Sequence, residues 1–208
     1  MSISSLFTAK EAVVYGWNTF KTNWKFLVTA YIIIFVLSMI PNFSYDWARE
    51  NQPSISFIFQ IIGWLVKMIT SIGIIVISLK FVDKKKPELA DIYQHYKLLI
   101  NYFFGSVLYG LVIAAGLILL IVPGIIWGIK YQFTTYLIID KKMSPIEAFK
   151  ESGKMTKGFN LKLFYLGLAF IGLTVIGLIT LGVGFIIIWP IISLAGAYVY
   201  RKLSLKKK

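Results

Sequence analysis

Six apolar stretches, each continuous and not alternating, leave this chain few ways to fold. They run from about Trp24 to Ile40, Ser56 to Phe81, Asn101 to Val122, a fourth ending near Ile139-Asp140, Leu161 to Leu181, and a sixth ending near Tyr200. A bilayer core of ~30 Å is crossed by a helix of ~20 mostly apolar residues, and most of these stretches reach that length. Continuous runs exclude a β-barrel, whose strands alternate. The composition agrees: of 208 residues, 58% are hydrophobic and only 15% charged. The expected class is an all-α membrane protein with six transmembrane helices arranged as three hairpins. Cysteine is absent, which removes disulfides and thiolate chemistry.

Each hairpin is expected to follow a cytoplasmic amphipathic helix that lies in the membrane interface. The third of these is the best defined. Ser144 can cap it, Pro145 suits its first position, and Glu147 completes a capping box. At about 100° per residue, Lys150, Lys154 and Lys157 share a side with Glu147 and Glu151, opposite Ile146, Ala148, Phe149, Ser152, Gly153, Met155 and Thr156. Such a division fits a helix with its apolar side in lipid and its lysines toward headgroups. Near the N-terminus, Thr8 and Glu11 are spaced as a second capping box. Leu6, Ala9, Val13, Gly16, Trp17, Phe20 and Trp24 form one face there, opposite Lys10 and Lys21. The intermediate segment would open at Pro87-Glu88. A cleavable leader is not expected at the N-terminus, because no charged start precedes an apolar core.

These units read as a threefold repeat of amphipathic helix, span, turn and returning span, over about 5–82, 87–140 and 144–203 of one membrane domain. Expected breaks are Pro41-Asn42, a polar loop over 42–54, a tight turn at Pro123-Gly124, and Gly182-Val183-Gly184. Gly124/Gly128 and Ser106/Gly110/Ala114 offer small faces for helix packing. Nineteen of the 22 basic residues fall before span 1, between spans 2 and 3, between spans 4 and 5, or after span 6, against Arg49 alone on the other side. The positive-inside rule then puts both termini on the cytoplasmic side of the cell membrane. The net charge of +13 is thereby assigned to anionic headgroups, not to nucleic acid.

The segment VPGIIWGIKYQFTTYLIIDKKMSPIEAFKESGKMTKGFNLKLF, followed by GVGFIIIWPIISLAGAYVYRKL, resembles a family of prokaryotic polytopic membrane proteins without an established function. It is also similar to the membrane domain attached to some glycerophosphoryl diester phosphodiesterases. Pro123-Gly124, Lys130-Tyr131, Asp140, Glu147-Ala148, Ser152 and Lys157-Gly158 carry the likeness, which covers roughly residues 100–202. The phosphodiesterase catalytic domain has no counterpart here, so the resemblance implies a family and a topology but no reaction.

No residue set forms a catalytic site: HExxH, GxSxG, a P-loop and paired intramembrane aspartates are all missing. The lone His95 offers no metal set, and no cofactor is expected. Two lysines interrupt the spans. Lys67 and Lys130 both count to near mid-membrane, where an ionised lysine costs ~2.5–3.5 kcal/mol. One reading joins them with Gln60, Ser71, Gln132 and Thr134 in a cavity for an anionic group such as a lipid phosphate. The bland reading has both snorkelling outward. The expected function is binding or moving an anionic lipid or amphiphile without catalysis. The alternative is an accessory or membrane-shaping protein, and an intramembrane enzyme ranks last. Membrane lipids, a second copy of the chain or another membrane protein are the expected partners.

Overall fold

The computed structural model describes residues 6–180 and 182–205, so Leu181 and the last lysines of the RKLSLKKK tail lie outside it. Among the described residues every regular element is helical. Helix α1 (Ala9–Asn51) starts as expected: the Thr8 hydroxyl accepts from the Glu11 N–H at 3.1 Å, and the Thr8 N–H donates to the Glu11 carboxylate at 3.0 Å. Asn23 leaves helical geometry (φ −121°, ψ 25°) and its amide donates to the Thr19 carbonyl, so a kink separates the amphipathic part from the apolar part. The buried stripe is Ala12, Gly16 and Phe20, while Trp17 and Trp24 point outward.

Pro41 does not end this helix, contrary to expectation. A proline deletes one backbone hydrogen bond, which a helix tolerates where neighbours pack around it. Here the ring is buried against Gly63 of α2 (Pro53–Val82), a position with no side chain to obstruct it. The expected loop over 42–54 is therefore helix, with Gln52 alone joining α1 to α2. At ~1.5 Å per residue α2 is ~45 Å long, well beyond a ~30 Å hydrocarbon core.

After α2 come two short 3₁₀ turns, Leu89–Ile92 and Tyr96–Leu98, in place of the expected second amphipathic helix. Helix α3 (Leu99–Leu119) returns through an extended Leu120 (φ −166°, ψ 152°) into α4 (Ile121–Tyr131). The turn thus falls three residues before the expected one, and Pro123 lies in the first turn of α4, where a missing N–H costs nothing. Gly124 does serve packing: a Cβ on Gly116 would come within 2.7 Å of its Cα. Gly110 touches nothing, so the Ser106/Gly110/Ala114 face is not a packing seam.

The stretch read as the fourth crossing is broken at Gln132-Phe133 into α4 and α5 (Thr134–Lys141). Helix α6 (Pro145–Met155) has the expected Ser144 cap, and α7 (Asn160–Ile179) leads through the expected glycine turn to α8 (Phe185–Leu205). The last helix is the axis of the bundle. Its Ile191, Leu194, Ala195, Ala197, Val199, Tyr200 and Leu203 are buried, packing with Phe20, Leu27 and Ala30 of α1, Ile77 and Leu79 of α2 and Leu137 of α5. Arg201 fastens one end of the bundle, donating to Asp140 at 2.9 and 3.0 Å and to Asp83 at 2.8 Å, while the Tyr200 hydroxyl donates to Asp140 at 2.7 Å. The ends of α2, α5 and α8 therefore lie together. The start of α1 joins them through the Tyr15–Tyr198 stack, centroids 4.6 Å apart.

Candidate functional site

The break between α4 and α5 and the helix α6 make one construction. Breaking a helix strands backbone groups, and in a low-dielectric surrounding each must find another partner. The Ser152 hydroxyl accepts from the Phe133 N–H at 3.2 Å and lies 3.2 Å from the Lys130 carbonyl, to which it donates. The Thr156 hydroxyl donates to the same carbonyl at 2.9 Å. Ala148, Ser152 and Thr156 are all fully buried. The less charged face of α6 was expected in lipid, and the structure instead docks much of it on protein. Ile146 is the exception, at 62% exposed.

Docking α6 here brings four lysines together. A cavity of about 580 Å³ is lined by Ile126, Trp127, Lys130, Tyr131, Phe149, Lys150, Gly153, Lys154, Lys157 and Asn160. Gly153 makes the floor possible, since a Cβ there would meet the Tyr131 ring at 3.0 Å and the Lys130 stem at 3.3 Å. Tyr131 stacks on Phe149 (centroids 3.8 Å, 15°), and the Lys130 ammonium sits 5.2 Å from the Tyr131 ring centre. The lining mixes aromatic and aliphatic side chains with the four lysines and is amphipathic. A smaller hollow of about 190 Å³ on the other flank shares Lys154 and Lys157 and adds Lys141 and Glu151. At the head of α6, the Ser144 hydroxyl and N–H both donate to Glu147, at 2.8 and 3.1 Å, and hold its carboxyl below the usual carboxylate range.

The expected pairing of Lys67 with Lys130 is not found. Lys67 is exposed on α2, and its carbonyl accepts from the Thr70 and Ser71 hydroxyls. Counting residues from the outer turn put Lys130 near mid-membrane with Lys67. That count assumed one straight span, and the broken helix with α6 folded against it gives Lys130 different neighbours. Gln60 is exposed, Thr134 is buried with its hydroxyl on the Tyr131 carbonyl, and Gln132 donates to the Ile129 carbonyl. None of them lines the lysine cavity. Lys10 and Lys21 are exposed on α1, with Lys21 5.5 Å from the Trp17 ring centre. Sequence reasoning placed Lys150, Lys154 and Lys157 on one face but missed their convergence with Lys130. The resemblance had paired Lys130-Tyr131 with Ser152 in one pattern, and that was the available signal. Among the described residues, no group of three or more His, Cys, Asp or Glu could hold a metal.

Among the described residues, five helices are long and apolar enough to cross a membrane: α1, α2, the run Leu89–Leu119 that ends in α3, α7 and α8. This is the build of a polytopic helical membrane protein. Comparison with known proteins agrees. Residues 105–207 match the family described as "Protein of unknown function (DUF975)". The uncharacterized proteins Mb2590 of Mycobacterium bovis and MT2637 of Mycobacterium tuberculosis are each 29% identical over 133 residues, 64% of this chain. The chain spans 40% of the length of these relatives. No solved structure matches the chain. A likeness to prokaryotic proteins of uncharacterised function is thus supported, over nearly the residues that the sequence pattern marked.

Proposed function

We propose that the chain binds an anionic amphiphile, with the phosphate of the headgroup among Lys130, Lys150, Lys154 and Lys157 and the apolar part against Trp127, Tyr131 and Phe149. The observation that carries this reading is the convergence of four lysines in one cavity with aromatic walls. Lysine ammoniums near an anionic surface contribute ~1 kcal/mol each, so the set favours a phosphomonoester head over a zwitterionic one. Catalysis is not part of the proposal. A purely membrane-shaping role would need only the charged surface of α6 and no cavity. A role beside a lipid-handling membrane partner, or in an assembly with a second copy, belongs to the same reading.

Trp127 gives a direct test. A variant keeping Trp127 and replacing the other five tryptophans by Phe would be placed in nanodiscs with bromine-labelled phosphatidic acid. Quenching should reach half-saturation at a lower mole fraction than with labelled phosphatidylcholine, and Lys130→Gln should raise that fraction about fivefold. Equal quenching by the two lipids would overturn the reading.

The same proposal sets α4 and α5 together as one further crossing, the fourth in chain order. Six spans then form three hairpins in one domain, with the Arg201 end and both termini in the cytoplasm. Single cysteines at Ser44 and Ser204 should label from opposite sides of the cell membrane. Labelling from the same side would sink this topology.

A further inference from the structure

Gln132 and Phe133, at the break, line a different hollow. It measures about 390 Å³, and the lining residues with polar side-chain atoms are Tyr31, Gln132, Tyr136, Ser193 and Trp189, the last through its indole N–H. No charged residue lines it. Its hydrogen-bonding capacity is only partly used. The Tyr31 and Ser193 hydroxyls lie 2.7 Å apart, and Ser193 also accepts from Ser78 and donates to the Pro190 carbonyl. Gln132 uses one N–H on Ile129, which leaves its amide oxygen for another donor. Among the described residues the Tyr136 hydroxyl has no hydrogen-bond partner, and Gly196 makes room for it, since a Cβ there would stand 2.9 Å away. Gln132 and Tyr136 are half-buried, and polar groups shielded from water in native proteins find partners, so unused capacity facing a hollow points to an occupant that is polar and neutral.

A second hollow of about 470 Å³ adjoins the first, the two sharing Tyr31 and Trp189 as walls. Its remaining lining is Ile32, Phe35, Gly182, Val183, Phe185 and Ile186, all apolar or bare backbone. One hollow thus offers uncharged donors and acceptors, and its neighbour offers a hydrocarbon surface between α1 and the start of α8. We infer that together they bind an uncharged glycerolipid of the diacylglycerol kind. Its hydroxyl and ester oxygens meet Tyr136 and Gln132, and an acyl chain lies along Phe35 and Phe185. The site shares no residue with the lysine cavity and takes a ligand of different charge, so it stands whether or not that cavity binds phosphate.

Trp189 reports on both hollows. A full-length variant keeping only this tryptophan, in phosphatidylcholine nanodiscs, would be titrated with dibromostearoyl diacylglycerol. Saturable quenching is expected at a mole fraction at least about fivefold below that needed with the equivalent brominated phosphatidylcholine, the worth of about one net hydrogen bond. Tyr136→Phe removes one oxygen and little volume, and should abolish that preference. Gln132→Leu should weaken it, which keeps the test open if either variant folds poorly. Lys150→Gln/Lys154→Gln/Lys157→Gln should leave it unchanged. Equal quenching by the two lipids, or a preference that survives both Tyr136→Phe and Gln132→Leu, would overturn the inference. Stronger quenching by brominated phosphatidic acid would overturn it too, by making the site anionic.

Discussion

The segments that follow α2 and α5 look alike in sequence and fold differently. Both pair a proline with an acidic residue near the start, Pro87-Glu88 and Pro145-x-Glu147, and both sit beside lysines. After α5 the chain makes a capped helix, α6, docked through two hydroxyls and a glycine. After α2 it makes two 3₁₀ turns. Asp91, buried to 2% exposure at its side chain, is held by Lys80 at 2.7 Å and by the Glu88 N–H at 2.8 Å. The difference lies in what each segment finds on the bundle. Asp91 has a cation on α2 and Gly73 beneath Ile92, where a Cβ would fall 2.5 Å from the Ile92 Cα. In the observed turn the Ile92 backbone lies against Gly73 while Asp91 reaches Lys80. Helix α6 instead meets the stranded groups of a broken helix, and a helix presents Ser152 and Thr156, four apart, on one side to reach them.

The strongest way to break this comparison is Gly73→Val. The new side chain must displace the Ile92 backbone, and overpacking of this kind costs about 3 kcal/mol. Thermal unfolding in detergent should show the loss, with exchange protection lost first over 88–98. If 88–98 kept native protection, the close approach of Ile92 would not be what holds the segment. Asp91→Ala should be milder, at about 2 kcal/mol. Removing one partner of a fully buried pair costs more, but Lys80 is 30% exposed and regains water.

On the other side of the comparison, Ser152→Ala removes the acceptor for the Phe133 N–H while Thr156 still serves the Lys130 carbonyl. A stranded buried N–H costs about 1–3 kcal/mol. The double change with Thr156→Val should exceed the sum of the single changes, because only then is the carbonyl also abandoned. Additive losses would show that the two hydroxyls do not act on one break. The lysine triple change Lys150→Gln/Lys154→Gln/Lys157→Gln sharpens the same point. Helix α6 is held by protein contacts, so its hydrogen exchange should change little, and similarly in anionic and zwitterionic nanodiscs. A rise confined to anionic discs would show that lipid charge, not docking, keeps the helix down.

Much of this fold could be read from residues near one another in the chain. Both capping boxes and the glycine turn before α8 follow from local rules, and the structure has them where those rules put them. The missed features depend on distant residues. Pro41 reads as a stop until Gly63 is seen to receive its ring. The segment over 87–98 reads as a helix until Gly73 and Lys80 are placed beneath it. The candidate site shows the same division. Three lysines on one helix face follow from periodicity, but the fourth arrives because a helix breaks at Gln132-Phe133, and no proline or glycine stands there to announce it.

The smallest effect concerns the start of α6 and acid. The Ser144 hydroxyl and N–H hold the Glu147 carboxylate, so its pKa in the folded chain lies below the ordinary value of 4.5. For a carboxyl lowered on folding, the contribution is present above the unfolded value and is lost as pH falls through the folded one. The first turn of α6 should therefore keep its protection at neutral pH and fray below about pH 4.5, where unfolded carboxyls begin to protonate. Glu147→Gln should flatten this dependence while leaving the Ser144 side of the box intact, and Ser144→Ala should weaken the turn at every pH. Exchange rates over 145–148, corrected for the intrinsic effect of pH, give the reading. The carboxylate is fully exposed, so the change should stay within that turn. Loss of protection at Ser152 or Thr156 over the same range would mean instead that the cap, and not the hydroxyls at the break, sets the docking of α6.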